Sequence, residues 1–184
     1  MALNPTQRAT LLAVVTADNT ANGFRTAQDT FSLRAWLNAP GAVSVWRTDA
    51  PVSAILDSIT WSSYTLNDAA DNTATFTNRA LLAQTKQMNL QLMLQGRQTI
   101  DASKATLRAG LRDAVIQLPT GAGGAMVVAG GVSGAITLAA CVRTATRAEG
   151  ALAAASQTTG ATSAQILTFE GVVAEDDVNW LVNN

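Results

Sequence analysis

The chain contains no histidine, a single cysteine and little charge. Because histidine is the commonest general base and the commonest zinc ligand, its absence excludes the usual forms of acid–base catalysis, histidine zinc sites and pH switching. Cys141 alone cannot form an intramolecular disulfide or a thiolate cluster, and it does not decide the redox compartment. The composition therefore argues against an enzyme.

Charged side chains make up 14% of the 184 residues, against roughly 25% in globular proteins, and the net charge is −1. This excludes an overall basic field for nucleic acid and a polybasic segment for an anionic membrane. Copies of such a chain repel one another little, so they are prone to associate. Arginine outnumbers lysine, which occurs only as Lys86 and Lys104, and arginine is the cation favoured at protein interfaces. These features fit a subunit of an assembly, although biased codon usage would give the same composition.

Long hydrophobic runs are also missing. The longest apolar stretches lie near residues 11–15 and 135–142, and they fall short of the roughly 18 residues that a membrane span needs. The N-terminus has neither the basic region nor the continuous apolar region of a secretory signal. We expect a soluble intracellular product with no membrane partner.

Apolar residues recur at helical spacing over most of the chain. Asn4 and Pro5 suit the N-cap and first position of a helix that ends near residues 18–19, and residues 18–23 are typical of a turn. Further helices are predicted over 26–38, from Pro51 after a cap at Thr48 or Asp49, over 76–95 with Gly96 at its end, over 101–118, over 133–154 and from residue 175 through Leu181.

Extended structure is predicted at two places. Residues 43–47 alternate briefly, and Ala164–Gly171 is the best strand candidate because of Ile166, Thr168 and Phe169. No internal repeat is visible. The sequence therefore predicts a mainly α fold, a single domain over 1–184 built as a helical bundle with glycine-rich loops and a short C-terminal strand or hairpin. Its helical body covers about 1–155 and a C-terminal arm covers about 156–184.

Few residues of the sequence are candidates for catalysis or for ligand binding. The glycine-rich segment Thr120–Gly124 lacks the GK[ST] ending of a phosphate-binding loop, which favours a flexible loop or hinge. Ser103 and Lys104 diverge on a helix and do not resemble a Ser-x-x-Lys pair. The acids at 175–177 could bind a divalent cation, but acids in a first helical turn are more often a solvated face that complements the helix dipole. The sequence predicts no enzyme, no cofactor and no metal.

Arginine and tryptophan side chains are the stronger lead, because these residues most often dominate subunit contacts. Arg108 and Arg112 form an i, i+4 pair of like charge that repels mildly unless an acidic group meets it, and Arg143 and Arg147 share this spacing. The alternative is ordinary surface arginine. The candidate subunit-interface residues are Trp46, Arg47, Arg108, Arg112, Arg143, Arg147, Asp176 and Asp177.

Five short segments, spread in order over nearly the whole chain, carry a resemblance. They are Met1-Ala2-Leu3 with Pro5 and Gln7, Val45–Thr48 followed by Pro51, Ile100–Lys104 with Leu107-Arg108 and Gly110-Leu111, Ala145–Glu149, and Leu167–Gly171. Together they resemble a family of small tailed-bacteriophage proteins that are encoded among the head and tail genes.

The resemblance implies a structural virion protein, and the predicted helical content is similar to that of head-to-tail adaptor (connector) proteins. Such proteins form a ring between the portal protein and the tail-completion or terminator protein. The implied assembly is a homo-oligomeric ring of about twelve copies, through which packaged DNA passes without sequence-specific contact. The implied location is the head–tail junction of the virion, after synthesis in the host cytoplasm. We expect the arginine pairs to meet acidic groups of a neighbouring copy, Asp176 and Asp177 among them.

Two alternatives stay open. The chain could be a tail-terminator or a capsid-associated accessory protein of the virion, although a terminator is expected to contain more strand than the sequence predicts. From another class, it could be a small helical enzyme of carboxylate–metal type, for instance a lysis factor.

Overall fold

The computed structural model describes residues 2–59, 61–64, 74–116 and 138–184. The chain divides into two compact units. The first unit contains Met1–Trp46, Arg143–Gln157 and Ala164–Asn184, and the second contains Arg47–Val142 and Thr158–Ser163. The predicted single domain over 1–184 stays a prediction. The glycine-rich segment Thr120–Gly124 lies outside the described residues.

Within the described residues the structure contains eight α-helices and six strands, which are numbered in chain order. The helices are α1 (Pro5–Ala17), α2 (Asn19–Thr26), α3 (Thr30–Asn38), α4 (Val52–Asp57), α5 (Ala74–Leu94), α6 (Ala105–Val115), α7 (Arg147–Leu152) and α8 (Glu175–Asn183). The strands are β1 (Pro40–Trp46), β2 (Ala50–Pro51), β3 (Thr99–Ile100), β4 (Val142–Thr146), β5 (Ser156–Thr159) and β6 (Thr162–Gln165). Short 3-10 turns occupy Trp61–Tyr64 and Ala139–Cys141. None of the described helices is both long enough and apolar enough to span a bilayer.

The prediction of a mainly α helical bundle is wrong. The structure is 57% helical and 17% strand, with a mixed four-stranded sheet in the order β4-β1-β6-β5 and a separate β2-β3 pair, so it is an α/β mix. β1 and β6 run parallel with Val45 opposite Gln165, whereas β2 and β3 are antiparallel. β5 and β6 are joined by a two-residue turn that begins at Gly160, whose φ of 61° favours glycine.

The largest local error is the predicted helix over 133–154, because the described part of this segment contains β4 followed by the short helix α7. Val142, Thr144 and Thr146 are β-branched residues at alternate positions, which favours a strand. β4 lies beside β1 in the sheet, and pairing with a strand about a hundred residues away outweighs the local helix propensity of the alanines. The strand expected over Ala164–Gly171 is also displaced, since β6 ends at Gln165.

Capping residues determine where helices of the first unit begin. The predicted start of α1 is confirmed: the Asn4 side chain accepts a hydrogen bond from the Gln7 N–H, and the Gln7 side chain accepts one from the Asn4 N–H. The predicted turn over 18–23 is wrong, because the Asp18 carboxylate caps α2 by accepting the N–H groups of Thr20 and Ala21.

The core of the first unit is one apolar cluster. It contains Leu3, Leu11, Val15, Ala21, Leu33, Leu37, Ala148, Leu152, Phe169, Val173, Val178 and Leu181. These residues come from α1, α2, α3, α7, α8 and the segment before α8, so the two ends of the chain share one core. Burial of these side chains is the main force that holds the unit together.

The second unit is organised around the packing of α5 on α6. Ala83, Leu90 and Leu94 form the buried row of α5, and Leu111 and Ala114 are buried on α6. The prediction that Gly96 ends α5 is confirmed by a helix that stops at Leu94 and a glycine φ of 71°. α6 begins at Ala105 and not at Asp101, whose carboxylate instead accepts the N–H of Ser103.

Candidate interaction surface

The most connected polar group of the first unit is the carboxylate of Glu149. It makes a two-point ion pair with Arg143, whose Nη1 and Nη2 donate to the two carboxylate oxygens at 2.7 and 2.9 Å. The same carboxylate accepts the N–H groups of Thr146 at 2.9 Å and Gly171 at 3.0 Å. Arg143 also donates to Glu170 at 3.2 Å. Glu149 thus joins β4, the start of α7 and the segment before α8.

Burial by itself would raise the pKa of Glu149, and it is opposed by the hydrogen bonds from Arg143, Thr146 and Gly171. These bonds prevail and hold the pKa at about 2, against an ordinary value of 4.5. The same pairing raises the pKa of Arg143. The pair is therefore ionised at neutral pH, and it holds β4, the start of α7 and the segment before α8 together.

Arg147 lies at the start of α7 and packs on an aromatic ring. Its guanidinium carbon is 4.7 Å from the centre of the Trp36 ring, and its Nη1 donates to the Trp36 carbonyl at 3.4 Å. The Arg147 side chain is exposed and Trp36 is half-buried. This cation–π contact joins α3 to α7 and leaves the charged group at the surface.

The carboxylate of Asp177 is used inside the first unit. Arg8 of α1 meets it through Nη2 at 2.7 Å and Nε at 2.8 Å, and the N–H of Leu3 donates to it at 3.1 Å. Asp177 is buried on α8, whereas the adjacent Asp176 is exposed. The structure thus separates two neighbouring acids that the sequence treats as a pair.

Trp46 and Arg47 also differ in their surroundings. Trp46 is completely buried, and its Nε1 donates to the Gln157 carbonyl at 3.0 Å. Arg47 is half-buried and its Nε contacts Asp49 at 3.0 Å.

Arg108 is buried in the second unit, where its Nη1 donates to the carbonyls of Ala102 and Ser103 at 2.7 Å each. Its Nε donates to the Thr159 hydroxyl at 3.1 Å. Burial lowers the pKa of this guanidinium. One turn further along α6, Arg112 is exposed, so the two arginines do not share one solvent face.

The candidate interface residues therefore fall into three groups. Trp46, Arg108 and Asp177 are buried within the chain, whereas Arg112, Arg147 and Asp176 are exposed and Arg47 and Arg143 are half-buried. Their assignment to a subunit interface stays a prediction. Sequence reasoning missed the partners Arg8 and Glu170 and noted Glu149 only as an acid near Arg143 and Arg147, although the spacing Thr146-x-x-Glu149 is a capping-box signal that marks the start of α7.

Several large apolar side chains are exposed, among them Leu81, Met88 and Leu92, which the sequence pattern places on one face of the predicted helix over 76–95. Phe31 is 84% exposed and Val172 is 60% exposed in the first unit. In the second unit, the exposed side chains are Trp61 and three residues of α5, namely Leu81, Met88 and Leu92. Their signal in the sequence is an apolar row on α5 in addition to the row that the core needs.

The sequence candidates for a cation site and for a Ser–Lys pair make contacts within the chain. Among them, no group of three or more histidine, cysteine or acidic residues could hold a metal ion. In the 175–177 cluster the Asp177 carboxylate is paired with Arg8. The Ser103 hydroxyl donates to Asp101, and the Lys104 amine lies 3.5 Å from the same carboxyl group, so these residues stabilise the approach to α6.

The chain matches no protein-family model, no curated protein and no solved structure.

Proposed function

We propose that this protein is a structural subunit of a tailed-phage virion, a head-to-tail adaptor that forms a ring between the portal and the tail-completion proteins. The observation that carries the proposal is the exposure of large apolar side chains on both compact units of a chain with few charges. The resemblance of five segments to phage head and tail proteins directs this general inference to the virion.

The exposed apolar side chains support assembly because apolar surface in contact with water has an unfavourable free energy. Soluble monomers usually expose large apolar residues singly, and grouped ones mark surfaces that another chain covers. The centres of protein interfaces are depleted in charge and enriched in aromatic residues, methionine and arginine. Leu81, Met88 and Leu92 on α5, together with Trp61 nearby in the second unit, have this composition.

The buried ion pairs support a rigid subunit. Arg143 with Glu149 and Arg8 with Asp177 tie distant segments together in the first unit. A ring subunit needs a fixed shape, because small errors in the angle between neighbours prevent closure. Packaged DNA passing through the lumen would need no basic channel, and the net charge of −1 agrees with this role.

One observation favours the tail-terminator alternative, namely the four-stranded mixed sheet where a helical bundle was expected. The two roles differ in the particles that form when the protein is missing. Without an adaptor, heads and tails of normal length accumulate unjoined. Without a terminator, tail length is no longer controlled.

The test is a phage in which the reading frame carries an early stop codon, grown with and without a suppressor host. We expect DNA-filled heads and free tails of normal length in the non-suppressing host, and joined particles with suppression. Joined, infectious particles without the protein would overturn the proposal. Tails of irregular length would support the terminator role, and unstable heads with attached tails would support the capsid-associated role.

A further inference from the structure

α5 carries two apolar rows on opposite sides. Leu81, Met88 and Leu92 are 55%, 57% and 65% exposed, and at 3.6 residues per turn they fall with Thr85 within about 60° of the helix circumference. Ala83, Leu90 and Leu94 form the buried row, which lies about 170° away. A helix that is apolar on opposite sides is normally covered on both.

The spacing of the exposed row is that of a helix-packing seam. Leu81, Thr85, Met88 and Leu92 follow one another at intervals of four, three and four residues, which is the heptad pattern of helices that pack by inserting side chains between those of a partner. We call these four residues the α5 seam. Its flanking positions are the uncharged Gln84, Asn89 and Gln91.

A groove lies on the other side of α5, where the buried row forms part of its wall, also within the second unit. It has a volume of about 410 Å³ and is lined by Val52, Leu56, Trp61, Gln87, Leu90, Gln91, Leu94 and Gln95. The Trp61 ring is held in place because its Nε1 donates to the Leu56 carbonyl at 3.1 Å and the ring packs near Tyr64. The Tyr64 hydroxyl in turn donates to the Ala114 carbonyl at 2.9 Å. The groove is thus lined by apolar side chains and by the amide side chains of α5, and none of its described lining residues is charged.

We propose that the α5 seam of one copy of this chain docks into the groove of the next copy. The match is chemical: an uncharged apolar row flanked by amides meets an uncharged apolar groove with amides along one side. Lys86 is the single charged residue between 80 and 95, and its amine donates to the Asp113 carbonyl of α6. Partner choice between helices is normally set by charges that flank the seam, and the flanking residues Gln84, Asn89 and Gln91 carry none.

A seam-into-groove contact joins two different surfaces, so each copy retains a free groove at one end and a free seam at the other. Contacts of this kind repeat head to tail and form a ring when the rotation between neighbouring copies closes. Pairing of two α5 seams would instead give a closed dimer and would leave the groove open. This contact would join neighbouring copies in the proposed ring, so the inference rests on the proposed function.

The first test places a photoreactive benzoylphenylalanine at position 88, where the side chain is exposed and a bulky group is accommodated. Irradiation of purified phage particles is expected to give covalent multimers, and trypsin is expected to release position 88 joined to the peptide 48–79, which contains Val52, Leu56 and Trp61. The matched control carries the same group at the exposed Arg112 on α6 and is expected to give no link to this peptide.

Three results would overturn the proposal. They are multimers no more abundant than in the position-112 control, links from position 88 to a protein other than this chain, and links that join position 88 only to another α5 seam. Mass spectrometry of the same particles shows separately whether the protein is present in the virion. Its absence there contradicts the proposed function, and irradiation of the concentrated purified chain then tests the seam contact by itself.

The second test uses charge. Met88→Lys buries an ammonium group in the contact and is expected to reduce association at least tenfold, with an unchanged circular dichroism spectrum because position 88 is exposed. Gln95→Glu in the same chain is expected to restore association, since the groove of one copy then meets the new lysine of its neighbour. Gln95→Lys in place of Gln95→Glu is the control and is expected to restore nothing. Equal association of all three variants would contradict the contact.

Discussion

At the scale of single residues, several charged side chains join distant segments within the chain. Glu149 receives Arg143, Thr146 and Gly171, and Asp177 receives Arg8 and Leu3. Although the chain has few charged residues, two of its acids, Glu149 and Asp177, are thus buried and hydrogen-bonded. Such groups are costly to leave without their partners.

Replacement of Glu149 by glutamine is therefore expected to lower the free energy of unfolding by about 2 kcal/mol, because Arg143 loses its charged partner. Glu175→Gln, in the exposed first turn of α8, is the matched control and is expected to change the free energy of unfolding by less than about 0.5 kcal/mol. Urea denaturation at neutral pH measures both. Equal effects of the two substitutions would contradict the role given to Glu149.

The same carboxylate predicts a dependence of stability on pH. Its pKa is held at about 2 in the folded protein, against an ordinary 4.5, so its contribution is fully present above the ordinary value and is lost as the pH falls toward the folded value. We expect the difference in unfolding free energy between wild type and Glu149→Gln to shrink between pH 4.5 and about 2. A difference in unfolding free energy that stays constant over this range would show that the Arg143–Glu149 ion pair is not its source.

The thiol of Cys141 is expected to be inert. Burial raises its pKa to about 11, although Arg108 and Arg47 act in the opposite direction. At neutral pH the folded protein should react with a disulfide reagent many times more slowly than the urea-unfolded chain does. Equal rates in the two states would show that the thiol is accessible in the folded protein.

At the scale of helices and strands, short capping motifs determine where several elements begin. Thr146 caps α7 by accepting the Glu149 N–H at 3.2 Å, and the Glu149 side chain accepts the Thr146 N–H in return. Thr146→Ala is expected to lower the free energy of unfolding by about 1 kcal/mol. Thr10→Ala, at an exposed interior position of α1, is the control and is expected to leave stability unchanged or slightly raised. Thermal unfolding compares the two, and an equal loss at both positions would contradict the capping role.

The sequence predicts elements well where the signal is local. α1, α5 and α8 lie close to their predicted ranges because Asn4-Pro5, Gly96 and the acids at 175–177 mark helix ends directly. β4 was missed because its stability comes from the neighbouring strand β1, which is distant in the sequence. α2 was missed because Asp18 and Asn19 favour a turn and a helix cap equally.

The candidate site was predictable only in part, for the same physical reason. Sequence spacing identified Arg143, Arg147 and Arg108 as notable, but it could not show that their partners are Glu149, Trp36 and backbone carbonyls of the same chain. The α5 seam was visible in the sequence as one face of the predicted helix over 76–95, but its exposure was not predictable. An apolar residue in a helix predicts burial, and the sequence alone does not separate burial in the core from burial by another copy.

At the scale of the whole molecule, low charge, internal ion pairs and exposed apolar side chains are all consistent with the proposed role in an assembly. The ion pairs stabilise the fold of the chain, and we propose that the exposed apolar side chains contact other copies. A chain used in this way gains little from net charge, and its value of −1 agrees with that.

The most direct test of this account is cryo-electron microscopy of the head–tail junction of the intact phage, reconstructed without imposed symmetry. The account predicts a ring of copies of this chain between the portal and the tail-completion proteins, with the α5 seam of each copy in the groove of the next. Density for this chain elsewhere in the particle, or no density for it at all, would contradict the adaptor role.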